Sequence, residues 1–284
     1  MPILFSVKHD IPVPQSSMAV VTLITHPFYV PGAGVLGSSV LAAFGNETKP
    51  PPLIALVSDT IPDWALLWLR RVGWDVRTIP VFSLPPDFPF ERDERRVREA
   101  FSKINLWSMT EYSRLLYLDA DILVKPTAHL ADLFWKVDCR RVVLAASPVR
   151  SGYLNSGVMT LCPNATVFSE LLEGFKENQF KPYDDQGLLN AYFAAPTRLR
   201  AHPIEWLGPE WNARQHWDDW VRRGWLVHYV APSAKPWSRL PEERTTTPLS
   251  PAHQMWWDAW EALCARLGQD GRCAEVLSLR NSPP

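Results

Sequence analysis

Residues 115–124 read LLYLDADILV, and no other stretch restricts the fold as tightly. The apolar run over 115–118 is continuous and does not alternate. That is the pattern of a strand buried on both faces, as in a sheet covered by helices. A carboxylate is costly inside such a strand. Asp119 and Asp121 therefore belong where the strand ends, at the lip of the sheet. In extended backbone, residues i and i+2 point the same way. The two carboxylates can then close on one hard cation, Mn²⁺ or Mg²⁺. These ions take oxygen ligands and keep positions for a diphosphate. Read alone, an Asp-x-Asp is more simply a turn cap beside a solvated loop acid, because so short a motif recurs by chance.

The flanking chain alternates strand and helix. Residues 18–25 (MAVVTLIT), 53–57 and 74–79 read as strands, and 32–44 and 62–72 as helices between them. Pro62 stands at a first helical turn, where a missing N–H costs little. Such alternation predicts an α/β fold with a mostly parallel, Rossmann-like central sheet and helices on both faces. After a loop over 80–90, a helix is predicted over 92–109, with Val97, Phe101, Ile104 and Trp107 on one side. Lys103 falls in it as an exposed surface lysine. A short helical connection over 126–134 follows the Asp-x-Asp strand. Strands at 142–146 and 158–161 come next, then a helix at 164–175. Asp184, Asp185, Gln186 and Gly187 open a helix over 188–193. Acids at that position also have a capping explanation. A late strand covers 225–229. The domain reading is an arm over 1–17, one domain over 18–237, and a linker with a C-terminal docking helix over 238–284. That helix is predicted over 254–267, and the last residues read as frayed.

Several classes are excluded. There is no Gly-x-x-x-x-Gly-Lys-Ser/Thr, which argues against a P-loop. A net charge of -1 gives no reason to invoke nucleic acid or an anionic membrane. No run approaches the roughly 18 apolar residues of a membrane span, and the first residues do not read as a leader peptide. The cysteines at 139, 162, 264 and 273 have no Cys-x-x-Cys spacing. Sparse and unpatterned, they fit a reducing compartment, with Cys162 as a small core residue and the cytoplasm as the expected location. The 14 Trp and 27 Pro suggest large loops plugged by aromatics. Trp206, Trp211, Trp217, Trp220 and Trp225 crowd one segment. Some are expected in the core, ahead of an acceptor role, and one or two could form a stacking wall for a sugar or cyclitol acceptor.

The ordered set is far more specific than any member. It comprises Thr25-x-x-x-Tyr29, Lys103, Asp119-Ala120-Asp121, Asn155-Ser156-Gly157, Asp185-Gln186, His228 and Lys235-Pro236-Trp237. In this order and spacing, residues 18–237 resemble glycosyltransferase family 8, which contains glycogenin and galactinol synthase. The resemblance implies a GT-A fold, a UDP-sugar donor carrying glucose or galactose, Mn²⁺ as cofactor, and transfer with retention. It implies Asp119, Asp121 and His228 as metal ligands. Leu23, Thr25 and Tyr29 would line the uridine site, with Ala120 beside the metal motif. Lys103, Asn155 and Ser156 would bind the donor sugar and phosphates. Asp185 and Gln186 would face the reacting carbon, and Lys235 would hold the leaving diphosphate.

Two departures stand out. His26 follows Thr25 where the family often has Asn. The stretch from His228 to Lys235 is longer than in glycogenin and carries Ala231 in place of Gly, which is closer to galactinol synthase. No Tyr lies between Phe193 and Tyr229, so self-glucosylation at glycogenin's usual place is excluded. A small polyol or glycan acceptor is the expectation, and a homodimer stays open. The rival readings are a sugar nucleotidyltransferase, whose Gly-rich basic loop is missing, and a catalytically silent nucleotide-sugar-binding protein.

Overall fold

The computed structural model describes residues 17–45, 49–79, 101–141, 143–150, 152–176, 185–193, 204–230, 235–238, 250–268 and 271–281. All of the expected arm but Ser17, the loop over 80–90, the predicted helix over 92–100, Asp184 and nearly all of the linker lie outside them.

The first half builds the parallel part of the sheet. Strands β1 (Met18–Ile24), β2 (Leu53–Val57) and β3 (Asp75–Thr78) alternate with helices α1 (Val30–Phe44) and α2 (Asp63–Val72). Strand β4 (Arg114–Leu118) enters beside β1, and β5 (Ile122–Val124) leaves after the two acids. Helix α3 (Leu130–Phe134) leads to β6 (Leu144–Arg150) and β7 (Tyr153–Leu161). Then come α4 (Ala165–Lys176), α5 (Asp185–Phe193), β8 (Ile204–Trp206), β9 (Ala213–Arg214), α6 (Asp218–Arg223) and β10 (Leu226–His228). Helices α7 (Pro251–Leu267) and α8 (Cys273–Ser278) close the chain.

The main sheet has the order β3-β2-β1-β4-β7-β6-β8, and a small sheet has the order β5-β10-β9. The pairs β1–β2, β2–β3, β1–β4 and β6–β8 are parallel, while β7 runs antiparallel to both β4 and β6. Both faces are covered, which explains the unbroken apolar runs. Val20, Ile24, Leu116 and Leu118 face one core, and Ala19, Val21, Leu115 and Tyr117 face the other. Helix α1 (VPGAGVLGSSVLAAF), together with the 3-10 turn Pro27–Tyr29 that leads into it, is long and apolar enough to cross a membrane, but this stretch is largely buried inside the protein. Small residues let it approach closely. A methyl on Gly32 would stand 2.4 Å from the Ala120 carbonyl oxygen and 2.6 Å from Trp237 Cη2.

Four expectations change. Asn155, Ser156 and Gly157 lie within β7, not before it, because pairing with β6 carries the strand back to Tyr153. Residues 102–108 form a 3-10 helix instead of continuing an α-helix. Residues 271–281 are not frayed: α8 is tied to α7 by a Cys264–Cys273 disulfide, and Trp68 Nε1 donates to the Gly271 carbonyl at 2.6 Å. Cys162 is not a free core thiol but is bonded to Cys139, joining the end of β7 to the segment before β6. All four cysteines are paired, so the argument for a reducing compartment loses its basis.

Candidate active site

Three stretches far apart in sequence converge on the loop Asp119-Ala120-Asp121. Strands β1 and β4 are parallel neighbours with Val21 opposite Tyr117, and continuing that register puts Leu23 level with Asp119. On the other side, the Asp119 N–H donates to the Gly157 carbonyl at 2.8 Å, which brings Asn155 and Ser156 just past the end of β4. Strand β10 pairs antiparallel with β5, His228 opposite Ile122, and the Tyr229 N–H donates to the Asp121 carbonyl at 3.1 Å. The imidazole therefore arrives beside the acids through sheet pairing.

Ligand atoms of Asp119, Asp121 and His228 all lie within 4.8 Å of one another. Two carboxylates and one imidazole are a donor set that suits Mn²⁺. Each acid already faces an ammonium. Lys103 Nζ sits 2.9 Å from Asp119 Oδ1 and 2.7 Å from Asp185 Oδ2. Lys235 Nζ is paired with Asp121 Oδ2 and donates to the Tyr229 carbonyl. The other oxygen of Asp121, Oδ1, is buried and has no hydrogen-bond donor. A buried acceptor left without a donor is costly, and here it opens toward the cluster a cation would fill.

Electrostatics follow from these pairs. Burial works to raise the Asp121 pKa, but Lys235 and then His228 outweigh it and hold the carboxyl well below its ordinary range. Burial works to lower the Lys103 pKa, and Asp119 and Asp185 overcome it and raise it above the ordinary lysine value. Burial and the Asp119 charge push the Tyr117 hydroxyl well up, so it stays a donor to Asp119 Oδ1 at 2.6 Å. The expectation of an exposed Lys103 is thus overturned: it is only 8% exposed, drawn in by two carboxylates and by Ser156 Oγ at 3.2 Å.

The amide residues form one network. Ser156 Oγ donates to Asp185 Oδ2 at 2.7 Å, and Asn155 Nδ2 donates to Gln186 Oε1 at 2.9 Å. Asp185 opens α5, so its carboxylate also meets the positive end of that helix. Thr25, just past β1, accepts from the hydroxyls of Ser58 and Thr60 through its carbonyl, each at 2.9 Å. Tyr29 packs edge-on to Phe28, with Lys235 Nζ 5.9 Å from its ring centre. Ala120 is buried. His26 is buried, and its Nδ1 accepts from the Phe28 N–H at 3.2 Å. Sequence reading missed Asn212. It is buried between the metal cluster and the Asn155 amide, at 2.8 Å from His228 Nδ1 and 2.7 Å from Asn155 Oδ1. No motif marks it; the one signal is an Asn inside the Trp-rich segment that precedes the His228 strand.

That segment divides. Trp211 is buried and packs on Trp225, whereas Trp206 and Trp220 are 42% and 38% exposed. Pro209, Trp217, Asp218, Asp219 and Trp220 line an open cavity of about 610 Å³.

No family model matches the chain. Among curated proteins it is 27% identical over 268 residues to inositol phosphorylceramide glucuronosyltransferase 1 of Arabidopsis thaliana, covering 87% of this chain and 44% of that one. It is 30% identical over 191 residues to glycogenin-1 of Homo sapiens, covering 66% and 52%. It is 25% identical over 292 residues to galactinol synthase 1 of Solanum lycopersicum, covering 94% and 89%. The chain spans less than half the length of the plant glucuronosyltransferases it matches. Its fold is similar to that of galactosyltransferase LgtC in complex with donor and acceptor sugar analogs, with a TM-score of 0.61, 19% identity, and coverage of 89% of this chain and 99% of that one. It is also similar to the WbbM bifunctional glycosyltransferase, with a TM-score of 0.62, 16% identity, and coverage of 88% and 52%.

Proposed function

For a chain that is glycosyltransferase family 8-like in sequence and GT-A in fold, we propose a retaining, Mn²⁺-dependent transfer of a hexose from a UDP-sugar to a small polyol or glycan. The observation that carries the reading is the convergence of Asp119, Asp121 and His228 within 4.8 Å, flanked by the Lys103, Lys235 and Asp185 charges. Scattered surface acids do not assemble two buried ammoniums and an imidazole around themselves.

Sugar transfer requires the anomeric C–O bond to ionise, so negative charge grows on the diphosphate. Bound Mn²⁺ supplies Lewis-acid stabilisation of that charge. Lys235 holds the leaving diphosphate as a fixed positive charge in a site of low water content. Lys103, Asn155 and Ser156 bind the donor sugar and its phosphates. Asp185 and Gln186 orient the sugar and stabilise positive charge at the reacting carbon, and Asp185 is assigned no nucleophilic role. Leu23, Thr25 and Tyr29 line the uridine side, with Ala120 contributing backbone. Trp217 and Trp220 line the open cavity with Asp218 and Asp219, and would offer a stacking wall and carboxylate acceptors to an acceptor sugar bound there.

Two disulfides support action in a compartment that preserves cystines, in place of the cytoplasm expected from sequence. The test of the function is donor hydrolysis across UDP-glucose, UDP-galactose and UDP-glucuronate, with Mn²⁺ and with chelator. Metal-dependent UDP release from one sugar is expected. UDP binding without turnover, even with polyol and glycan acceptors, would leave the silent binding-protein reading, and absence of UDP binding would sink both.

A further inference from the structure

We infer that Asn212 is a positioning residue that sets the tautomer of His228, leaving Nε2 as a bare lone pair aimed at the cation site. The inference rests on the metal assignment in the proposed function. The Gly157 backbone N–H can only donate, and it donates to Asn155 Oδ1 at 3.1 Å. That fixes which end of the Asn155 amide is oxygen. The same Oδ1 lies 2.7 Å from the Asn212 amide, so Asn212 must present its Nδ2 there. The Asn212 oxygen then faces the other way, to His228 Nδ1 at 2.8 Å. An oxygen acceptor at that distance requires the neutral ring to carry its proton on Nδ1.

The consequence appears at the opposite ring atom. Nε2 faces Asp121 Oδ1 at 3.3 Å, and that oxygen has no donor. With the ring neutral, two lone pairs face one another across a buried gap, an arrangement that a cation between them, a metal ion or a proton on Nε2, resolves. An imidazole that ligates through one nitrogen needs the other held by an acceptor. Asn212 supplies that acceptor, and through Asn155 the same chain reaches Gln186 on the donor-sugar side. A carboxylate there would still offer His228 an acceptor while losing the donor to Asn155 Oδ1, and an apolar side chain would offer neither.

The experiment compares the parent, Asn212→Leu and Asn212→Asp. Mn²⁺ affinity is measured by calorimetry, and the ¹⁵N shifts of His228 in the metal-free protein report its tautomer. Asn212→Leu is expected to weaken Mn²⁺ binding about 10–100-fold, as loss of an outer partner of a ligating His does, and to lose the Nδ1–H signature. Asn212→Asp keeps the acceptor toward His228 but loses the donor to Asn155 Oδ1; it is expected to keep the Nδ1–H signature and to weaken Mn²⁺ binding less than Asn212→Leu does. If the parent and Asn212→Leu share one tautomer and one Mn²⁺ affinity, the inference is wrong. Should the parent bind no Mn²⁺ while its His228 shows the Nδ1–H form, the metal half of the functional reading fails and the relay stands. An Asn212→Leu chain that does not fold leaves the decision to Asn212→Asp and the parent spectrum. An Nε2–H form in the parent overturns the inference.

Discussion

Lys103→Met removes one charge and little volume, so its effect isolates electrostatics. In the native protein the ammonium touches Asp119 at 2.9 Å and Asp185 at 2.7 Å, with side-chain exposures of 9%, 26% and 15% for Lys103, Asp119 and Asp185. Deleting one partner of a buried ion pair costs about 3–5 kcal/mol, because the remaining charge stays buried and uncompensated. Both carboxylates keep some contact with water, which moves the estimate to the lower end, about 2–3 kcal/mol. At roughly 2–4 °C per kcal/mol for large domains, the melting temperature in chelator should fall by about 5–10 °C. The Lys103 pKa is raised in the folded state. Its stabilisation is therefore fully present below the ordinary lysine value of about 10.4 and is lost only as pH rises through the higher folded value. The deficit should accordingly be flat from about pH 6 to 9. Mn²⁺ should restore more stability to the variant than to the parent, because the site has become more negative. Thermal unfolding followed by circular dichroism, in EDTA and in Mn²⁺, reads all three. A drop in EDTA of under about 2 °C, less than 1 kcal/mol, would show that Lys103 is not the counter-ion the distances imply.

Gly157→Ala places a methyl 2.4 Å from His228 Cε1 and 3.0 Å from Asp119 Oδ2. Mn²⁺ affinity should fall about 10–100-fold with the far-UV spectrum retained, and an unchanged calorimetric Kd would contradict the site geometry. Tyr229→Phe deletes the hydroxyl that donates to the Ala252 carbonyl at 2.5 Å and pins the start of α7. A loss of about 1 kcal/mol is expected by urea unfolding. Burial raises the Tyr229 pKa, so the folded state keeps a proton that the unfolded chain releases above about pH 10. Parent stability should decline there more steeply than that of the phenylalanine variant. Finally, a thiol titration of the denatured protein should find no free cysteine before reduction and four after it, since Cys139–Cys162 and Cys264–Cys273 account for all. Reactive thiols before reduction would remove the argument for an oxidising compartment.

Much of this architecture was legible because it is local. The unbroken apolar runs of β1, β2 and β4 give strands buried on both faces, and the structure covers those faces with two cores. Pro62 and Gly73 bracket α2 as turn chemistry requires. The helix type at 102–108 was not legible, since an apolar stripe looks much the same for a tight and a regular helix over two turns. Lys103 reads as a surface residue from any local window, because its partners Asp119 and Asp185 lie elsewhere in the chain. The same holds for the cysteines: Cys139 and Cys162 meet because the chain returns along β6 and β7.

Local pattern is enough to say which residues could do chemistry and where strands must stop, since a carboxylate cannot continue a buried strand. Asp119 and Asp121 at the end of β4 follow from that alone. Which residues stand beside them depends on how the strands assemble. Strand order places β4 between β1 and β7, and β10 beside β5, so residues separated by scores of positions become hydrogen-bond partners. Asn212 has no meaning in its own neighbourhood. It acquires one because Asn155 and His228 arrive on either side of it, and a chain of donors and acceptors closes that no local pattern encodes.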